Sequence, residues 1–187
     1  MKKIVALLLF LASATLMSAQ GGAQIFTGIT TLTNTSTAIT RKGEFHSGFT
    51  VGIQSRLKDG TFVAGPGLKY TRFNMVSSNE AGFYKKEENY HLLSVPFNIG
   101  LEYRLTYILK LRMYTGADAH YFYKIDENDR SINLDYVNDY FFGAHAGIGI
   151  DLYWVTFDAK YEYGLSNAHK MDRSKYNALN FNVGIFF

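Results

Sequence analysis

The sequence contains no cysteine, and beyond its first residues it has no long apolar run. Without cysteine, the protein forms no disulfide bond and carries no lipid on an N-terminal cysteine. A membrane-spanning helix needs about 20 consecutive apolar residues, so none is expected after the N-terminal segment. The fold must therefore be held by packing and backbone hydrogen bonds.

The first residues have the layout of a secretory signal peptide. Lys2 and Lys3 precede a short apolar run, which small residues follow. We expect cleavage after Ala19, with a site as late as Ala23 as the alternative, and one barrel domain at 20–187. Loss of the two lysines lowers the formal net charge from +3 to +1. Such a balance gives no support for a nucleic-acid partner.

Nearly every later segment alternates apolar and polar residues, most clearly in VTFDAKYEYGL at 155–165. This period of two is typical of a β-strand with one apolar face. We predict strands near 23–32, 44–57, 61–73, 90–104, 108–123, 139–152, 154–165 and 177–187. The connections alternate between short turns, such as KDG at 58–60, and long polar segments. This layout predicts an all-β, eight-stranded antiparallel up-and-down barrel in the outer membrane, with both termini periplasmic.

A soluble ligand-binding barrel also alternates, with its apolar face inside, and is the alternative fold. Glycine and the aromatic residues favour the membrane barrel. Twelve strand glycines fall on the polar face, where a crowded interior needs them. They are Gly28, Gly48, Gly52, Gly65, Gly67, Gly100, Gly116, Gly143, Gly147, Gly149, Gly164 and Gly184. Pro66 and Pro96 each remove a strand backbone donor, so we expect irregular pairing beside them.

The apolar face carries two groups of aromatic residues around an aliphatic band. Two such girdles mark the two membrane interfaces. The group near the long connections comprises Phe45, Tyr70, Tyr121, Tyr123, Tyr140, Phe142, Tyr161 and Tyr163. The group near the short turns comprises Phe62, Tyr103, Tyr107, Tyr153, Trp154 and Phe187.

The polar face carries six positive and five negative side chains, which predicts an ion-paired network inside the barrel. An unpaired buried charge costs several kcal/mol, so the balance favours a filled lumen that conducts no solutes freely. The positive members are Arg56, Lys69, Arg104, Lys110, Arg112 and Lys160. The negative members are Glu102, Asp118, Asp151, Asp158 and Glu162.

The last segment, LNFNVGIFF at 179–187, alternates with only Phe186 out of pattern. We predict that it is the closing strand and pairs with the first one. Phe187 then lies in the periplasmic girdle. A terminal aromatic residue also resembles the signal by which the outer-membrane assembly machinery recognises its substrates, so Phe187 is the predicted assembly signal.

Three segments occur in order before the terminal phenylalanine: LLSVPFNIGLEYRL at 92–105, AGIGIDL at 146–152 and YEYGLSN at 161–167. Together they resemble the outer-membrane β-barrel family of Bacteroidota known as the porin family or PorT-like. Some members are linked to type IX secretion, which the resemblance implies as an alternative function. Members often carry an aromatic and an acidic residue where this chain has Leu92 and Ser94, so no subfamily role is transferred.

No catalytic or metal-binding motif stands out. None of the five histidines has metal-ligand spacing, and His46, His120 and His145 fall on the predicted interior face. Ser166 and His169 do not reproduce the motif of lipid A-modifying barrels, which are the enzyme alternative. We expect no cofactor and no enzymatic activity. The predicted role is structural, or surface interaction of extracellular loops with lipopolysaccharide, a secretion partner or an external ligand.

Overall fold

The computed structural model describes residues 21–34, 45–74, 89–126, 137–168 and 175–187. The predicted signal peptide lies outside these ranges. Eight strands were predicted and eight are found, and every boundary lies within two residues of its prediction. They are β1 (Gly21–Asn34), β2 (Phe45–Asp59), β3 (Phe62–Asn74), β4 (Asn89–Arg104), β5 (Leu109–Ile125), β6 (Tyr140–Leu152), β7 (Val155–Gly164) and β8 (Tyr176–Phe186).

The strands form one closed antiparallel barrel in chain order, and β8 closes it against β1. Backbone pairing reaches the last residue, because Ala23 and Phe187 exchange N–H···O bonds of 2.8 and 2.9 Å. Closure leaves no unpaired sheet edge. The predicted fold and the predicted role of the last segment as the closing strand are confirmed. The described ranges contain no helix of the length and apolarity that crossing a membrane would require.

The barrel has a turn end and a loop end. At the turn end, connections of two to four residues join β2 to β3, β4 to β5 and β6 to β7. In the first of these, Gly60 has a φ of +59°, a left-handed conformation that glycine adopts at no steric cost. The strand ends that the other four connections join lie at the opposite, loop end, whereas β1 begins and β8 ends at the turn end.

Large apolar side chains face outward and polar side chains face inward. Ile29 is 62% exposed, whereas Thr50, Asp118 and Asn180 are fully buried. This is the inverse of a soluble barrel, so that alternative is wrong. All twelve glycines that were predicted on the polar face occupy inward-facing register positions. The predicted girdle residues are exposed, except that Tyr70 and Tyr121 are half-buried and the Phe45 side chain lies outside the described part.

Both prolines lie where the backbone ladder is interrupted. Pro66 in β3 has no pairing partner in β2. The two residues after it, Gly67 and Leu68, have no pairing partner in β4. Pro96 in β4 likewise lacks a β3 partner. The Gln54 side chain compensates in part, since its amide donates to the carbonyl of Gly65 over 2.8 Å. The irregular pairing that the sequence predicts is present.

A β-bulge interrupts the alternation of β5 at the loop end. His91 of β4 opposes Lys124, and the next β4 residue opposes Phe122, so Tyr123 is the extra residue. Beyond the bulge the two faces of β5 exchange. Lys124 therefore turns outward, while Ile125 packs against the buried cluster inside the barrel.

Candidate functional site: the sealed lumen and the loop-end rim

The lower lumen holds a layer of two arginines and two aspartates. Arg56 contacts Asp151 at 2.8 Å, and Arg112 contacts Asp151 at 2.8 Å and Asp158 at 3.0 Å. Gln24 bridges the layer by donating to Asp158 at 2.9 Å and accepting from Arg56. All five side chains are buried. The layer joins five strands through the interior of the barrel.

The upper lumen holds a second balanced layer, with two lysines and two carboxylates. Lys160 contacts Asp118 at 3.0 Å and Glu162 at 3.8 Å, and Lys69 contacts Glu162 at 3.5 Å. All four side chains are buried. Each charge has an opposite neighbour, which offsets the cost of removing it from water.

Two histidines extend this upper layer. His145 hydrogen-bonds Asp118. His120 lies between Ser94, 2.8 Å from its Nδ1, and Glu162, 2.6 Å from its Nε2. Serine, imidazole and carboxylate follow each other as in a nucleophilic triad. Ser94 is fully buried, however, and the His120 ring stacks on Phe141 at 4.5 Å, so no substrate reaches the hydroxyl.

The folded chain also groups Asp118, His120 and Glu162 as potential metal ligands, with ligand atoms within 4.8 Å of one another. Sequence spacing did not reveal this cluster because its members lie on two different strands. Lys69 and Lys160 already place ammonium groups against both carboxylates. Because these cations balance the two negative charges, the cluster does not fit an added divalent ion.

The turn end of the lumen departs from the predicted network at one residue. Glu102 is buried and contacts Lys58 at 2.5 Å and Lys110 at 3.5 Å. Arg104 was expected in this network, but it is exposed because β4 ends there and the rim is open to water. The sequence interpretation missed Lys58, which continues the inward i, i+2 pattern from Arg56.

The lumen is closed at both ends, by one aromatic ring at the turn end and by a hydrophobic cluster at the loop end. At the turn end, Phe186 faces inward under the Arg56 guanidinium, 4.7 Å from its ring centroid, and Lys110 lies 5.9 Å from the same ring. This contact explains the one break in the alternation of the last segment. The cations lie close enough to the ring face for cation–π attraction.

The loop end is closed by a buried hydrophobic cluster, which we call the aromatic plug. It consists of Leu32, Phe73, Tyr90, Leu92, Phe122, Val137, Phe141, Ala168, Tyr176 and Ala178. Every member is at most 4% exposed. The sequence predicted the ion-paired network but not this apolar closure. Phe122 and Phe141 each lie between outward-facing aromatic residues, which hides their inward direction in the sequence.

Glycines create the space that these crowded layers need. A Cβ at Gly149 would lie 2.6 Å from a nitrogen of Arg112, and one at Gly147 would lie 2.6 Å from the ring of Tyr114. Between the layers, a cavity of about 60 Å³ remains beside Lys69, Asn98 and Asn182. A cavity of this size, with charged and amide side chains in its wall, has room for a few water molecules.

The loop-end rim carries a polar group on the outer face. Tyr70 and His91 Nδ1 are 2.5 Å apart, and His91 Nε2 lies 3.2 Å from Asp126. Lys124 contacts the same carboxylate at 2.7 Å. The hydrogen bonds from Lys124 and His91 lower the pKa of Asp126 to about 2. Asp126 is therefore ionised at neutral pH.

A family model described as "Outer membrane protein beta-barrel domain" matches residues 18–170. Neisserial surface protein A is similar in structure, with a TM-score of 0.56 at 13% identity over 89% of this chain and 97% of that one. Ail of Yersinia pestis gives 0.48 at 13% identity, covering 90% and 99%. Ail in complex with the heparin analogue sucrose octasulfate gives 0.49 at 15%, with the same coverage. No curated protein sequence matches the chain.

Proposed function

Because the chain belongs to the outer membrane protein beta-barrel domain family, we propose that it is a rigid outer-membrane scaffold that presents its long loops to the outside. It is neither an open channel nor an enzyme in this proposal. The observation that carries the proposal is the sealed lumen. Two balanced ion-pair layers fill it, and aromatic rings close both ends.

A solute crossing the lumen would have to separate buried ion pairs. Breaking one buried pair costs about 3–5 kcal/mol, because the remaining charge is left without a partner or water. In this proposal the interior serves stability, and the loop end is the surface that makes contacts with partners. The long connections near 35–44, 75–88 and 127–136 carry mixed charges suited to partner contacts.

In this proposal the loop end faces the outside of the cell and both termini face the periplasm. The outer-membrane assembly machinery recognises Phe187. The partners of the loop end are lipopolysaccharide and an external or secretion protein. Neisserial surface protein A supports only the fold, since the identity is 13%. Its name as a surface protein is compatible with the same placement.

The absence of cysteine provides a direct test of this orientation. Ser78→Cys places a thiol in a long connection, and Thr61→Cys places one at the turn end. A membrane-impermeant maleimide should label the first variant on intact cells and the second only after permeabilisation. The reverse pattern would overturn the proposed orientation.

Conductance tests the sealed lumen. In planar bilayers the purified barrel should give no stable single-channel steps, because two charge layers and two aromatic closures stand in series. Large, persistent steps in the wild-type protein would contradict the scaffold proposal.

Type IX secretion is the second candidate, and it rests on the resemblance of 92–105, 146–152 and 161–167 to PorT-like proteins. A deletion strain assayed for secreted cargo separates it from the first. Loss of cargo from the medium would favour the secretion role, and unchanged secretion would favour the scaffold. Unchanged lipid A acylation on overexpression, measured by mass spectrometry, is the outcome expected for a protein without enzymatic activity.

A further inference from the structure

Three basic side chains form a row across the outer face at the loop-end rim. Arg72 of β3 pairs in register with His91 of β4, and His91 pairs with Lys124 of β5. Directly opposed residues on one face of a sheet have Cβ atoms about 4.5–5.5 Å apart. We call Arg72, His91 and Lys124, with Tyr70 and Asp126 beside them, the rim patch.

The β5 bulge creates this row. If β5 alternated strictly through Tyr123 with no bulge, Lys124 would point into the barrel and Ile125 outward. The bulge reverses both, so the Lys124 side chain is 60% exposed beside His91. Bulges frequently re-aim a side chain at a functional position.

The rim patch contains more positively charged than negatively charged side chains. Like charges directly opposite each other on a sheet are unfavourable. Asp126 contacts His91 at 3.2 Å and Lys124 at 2.7 Å, but Arg72 has no ion-pair partner among the described residues and is exposed. Among the five side chains of the rim patch, the two cations Arg72 and Lys124 are accompanied by a single carboxylate, Asp126.

The position of the patch identifies the anion that complements it. Tyr121, Tyr123 and Tyr140 belong to the loop-end girdle, and girdle rings lie at the level of the lipid headgroups. The row of bases lies one step closer to the loops on the same outward face. An arginine fork binds phosphate through two parallel hydrogen bonds, and lysine adds a point charge.

We propose that the rim patch binds the phosphate groups of an outer-leaflet glycolipid of the lipid A type. Arg72 and Lys124 contact the phosphate directly. Tyr70 and Asp126 hold the His91 ring between them through its two nitrogens. The cellular meaning of this site rests on the proposed orientation, in which the loop end faces the outer leaflet.

The test uses the purified full-length barrel in phosphatidylcholine vesicles that contain either bisphosphorylated lipid A or the same lipid after dephosphorylation. Binding is read as a rise in the temperature at which the folded band shifts on a heat-modifiable gel. Bisphosphorylated lipid A should raise the wild-type midpoint, and the dephosphorylated lipid should not. The double variant Arg72→Gln/Lys124→Gln should lose this rise.

Arg104→Gln is the matched control, because Arg104 is an exposed arginine at the opposite rim, and it should keep the full response. Titration of lipid A should show about tenfold weaker binding for each charged contact removed from the patch. The site is overturned if the double variant responds like the wild type, if Arg104→Gln loses the response equally, or if both lipids act alike. An equal response to inorganic phosphate in lipid-free micelles would overturn the glycolipid as its source.

This measurement is independent of cellular orientation, since both leaflets of the vesicles carry the lipid. If maleimide labelling places the loop end in the periplasm while lipid A still binds, the proposed function fails and the site stands. If labelling succeeds and lipid A has no effect, the site fails and the scaffold proposal stands.

Discussion

At the scale of single residues, the lumen depends on side chains that satisfy several partners at once. Arg112 contacts Asp151 and Asp158, and all three are buried. Removing the guanidinium leaves two buried carboxylates with one cation fewer. Deleting one partner of a buried ion pair destabilises the fold by far more than the intact pair stabilises it. The reason is that the remaining buried charge has lost its partner.

We expect Arg112→Ala to lower the free energy of unfolding by about 3–5 kcal/mol. Arg104→Ala removes an exposed arginine from the neighbouring strand and should change stability by less than about 0.5 kcal/mol. Urea-dependent loss of the heat-modifiable band measures both variants. Equal stability of the two variants would show that the lower layer contributes little.

At the same scale, the sequence predicted which charged residues face the lumen, but not which of them form ion pairs with each other. Arg56 and Asp151 lie 95 residues apart, and only barrel closure brings them to 2.8 Å. Alternation assigns each residue to a face but carries no information about which strands meet across the lumen. The plug residues Phe122 and Phe141 were missed for a different reason, since aromatic neighbours on both sides mask the polar-apolar contrast.

At the scale of a structural element, β5 is the strand where pattern and structure differ most. Its boundaries were predicted within two residues, because a strand with one lipid-facing side has a strict period of two. The bulge was not predicted, since Tyr121–Phe122–Tyr123 is aromatic on both faces. Its effect is confined to the loop end, where it directs Lys124 outward and Ile125 inward.

Deletion of Tyr123 should remove the bulge and still leave Lys124 outside and Ile125 inside, because Lys124 then follows Phe122 directly and pairs with His91 in a regular ladder. No lysine has to enter the aromatic plug, where an unpaired charge would cost several kcal/mol, so we expect the deletion variant to refold nearly as well as the wild type. Tyr123→Ala keeps the residue count and therefore the bulge, and should also fold normally. The two variants are compared by heat-modifiable migration after refolding, and failure of the deletion variant alone to refold would contradict the assignment of Tyr123 as the extra residue.

The closing strand β8 is followed by Phe187, whose role in assembly can be tested. Phe187 exchanges backbone hydrogen bonds with Ala23, and its ring belongs to the turn-end girdle. Deletion of Phe187 should reduce the membrane level of the protein in cells more than it lowers the stability of refolded barrel. Quantitative immunoblots of membrane fractions beside urea unfolding measure the two effects, and normal membrane levels would refute an assembly role.

At the scale of the whole molecule, the lumen has several barriers in series. The aromatic plug, the two charge layers and Phe186 each block the same path. Opening one barrier leaves the others in place. The ion-pair interior was expected from the sequence, whereas the apolar closure of the loop end emerged only from the fold.

Phe141→Ala should therefore destabilise the barrel by about 3–5 kcal/mol through the cavity that it leaves, without creating an ion path. Planar-bilayer recordings should show the same lack of single-channel steps as for the wild type. Phe186→Ala serves as the equivalent change at the other end. A conducting state in either single variant would mean that the charge layers do not block ions.

The bonds between Ala23 and Phe187 place the start of β1 beside the end of β8 on the closed sheet. The folded topology thus has no unique starting strand, and a short linker across this seam would allow the chain to be cut open at a long connection instead. Such a circular permutant keeps every strand pair while it moves the terminal phenylalanine away from the C-terminus. It therefore separates what the barrel needs for stability from what the cell needs to insert it.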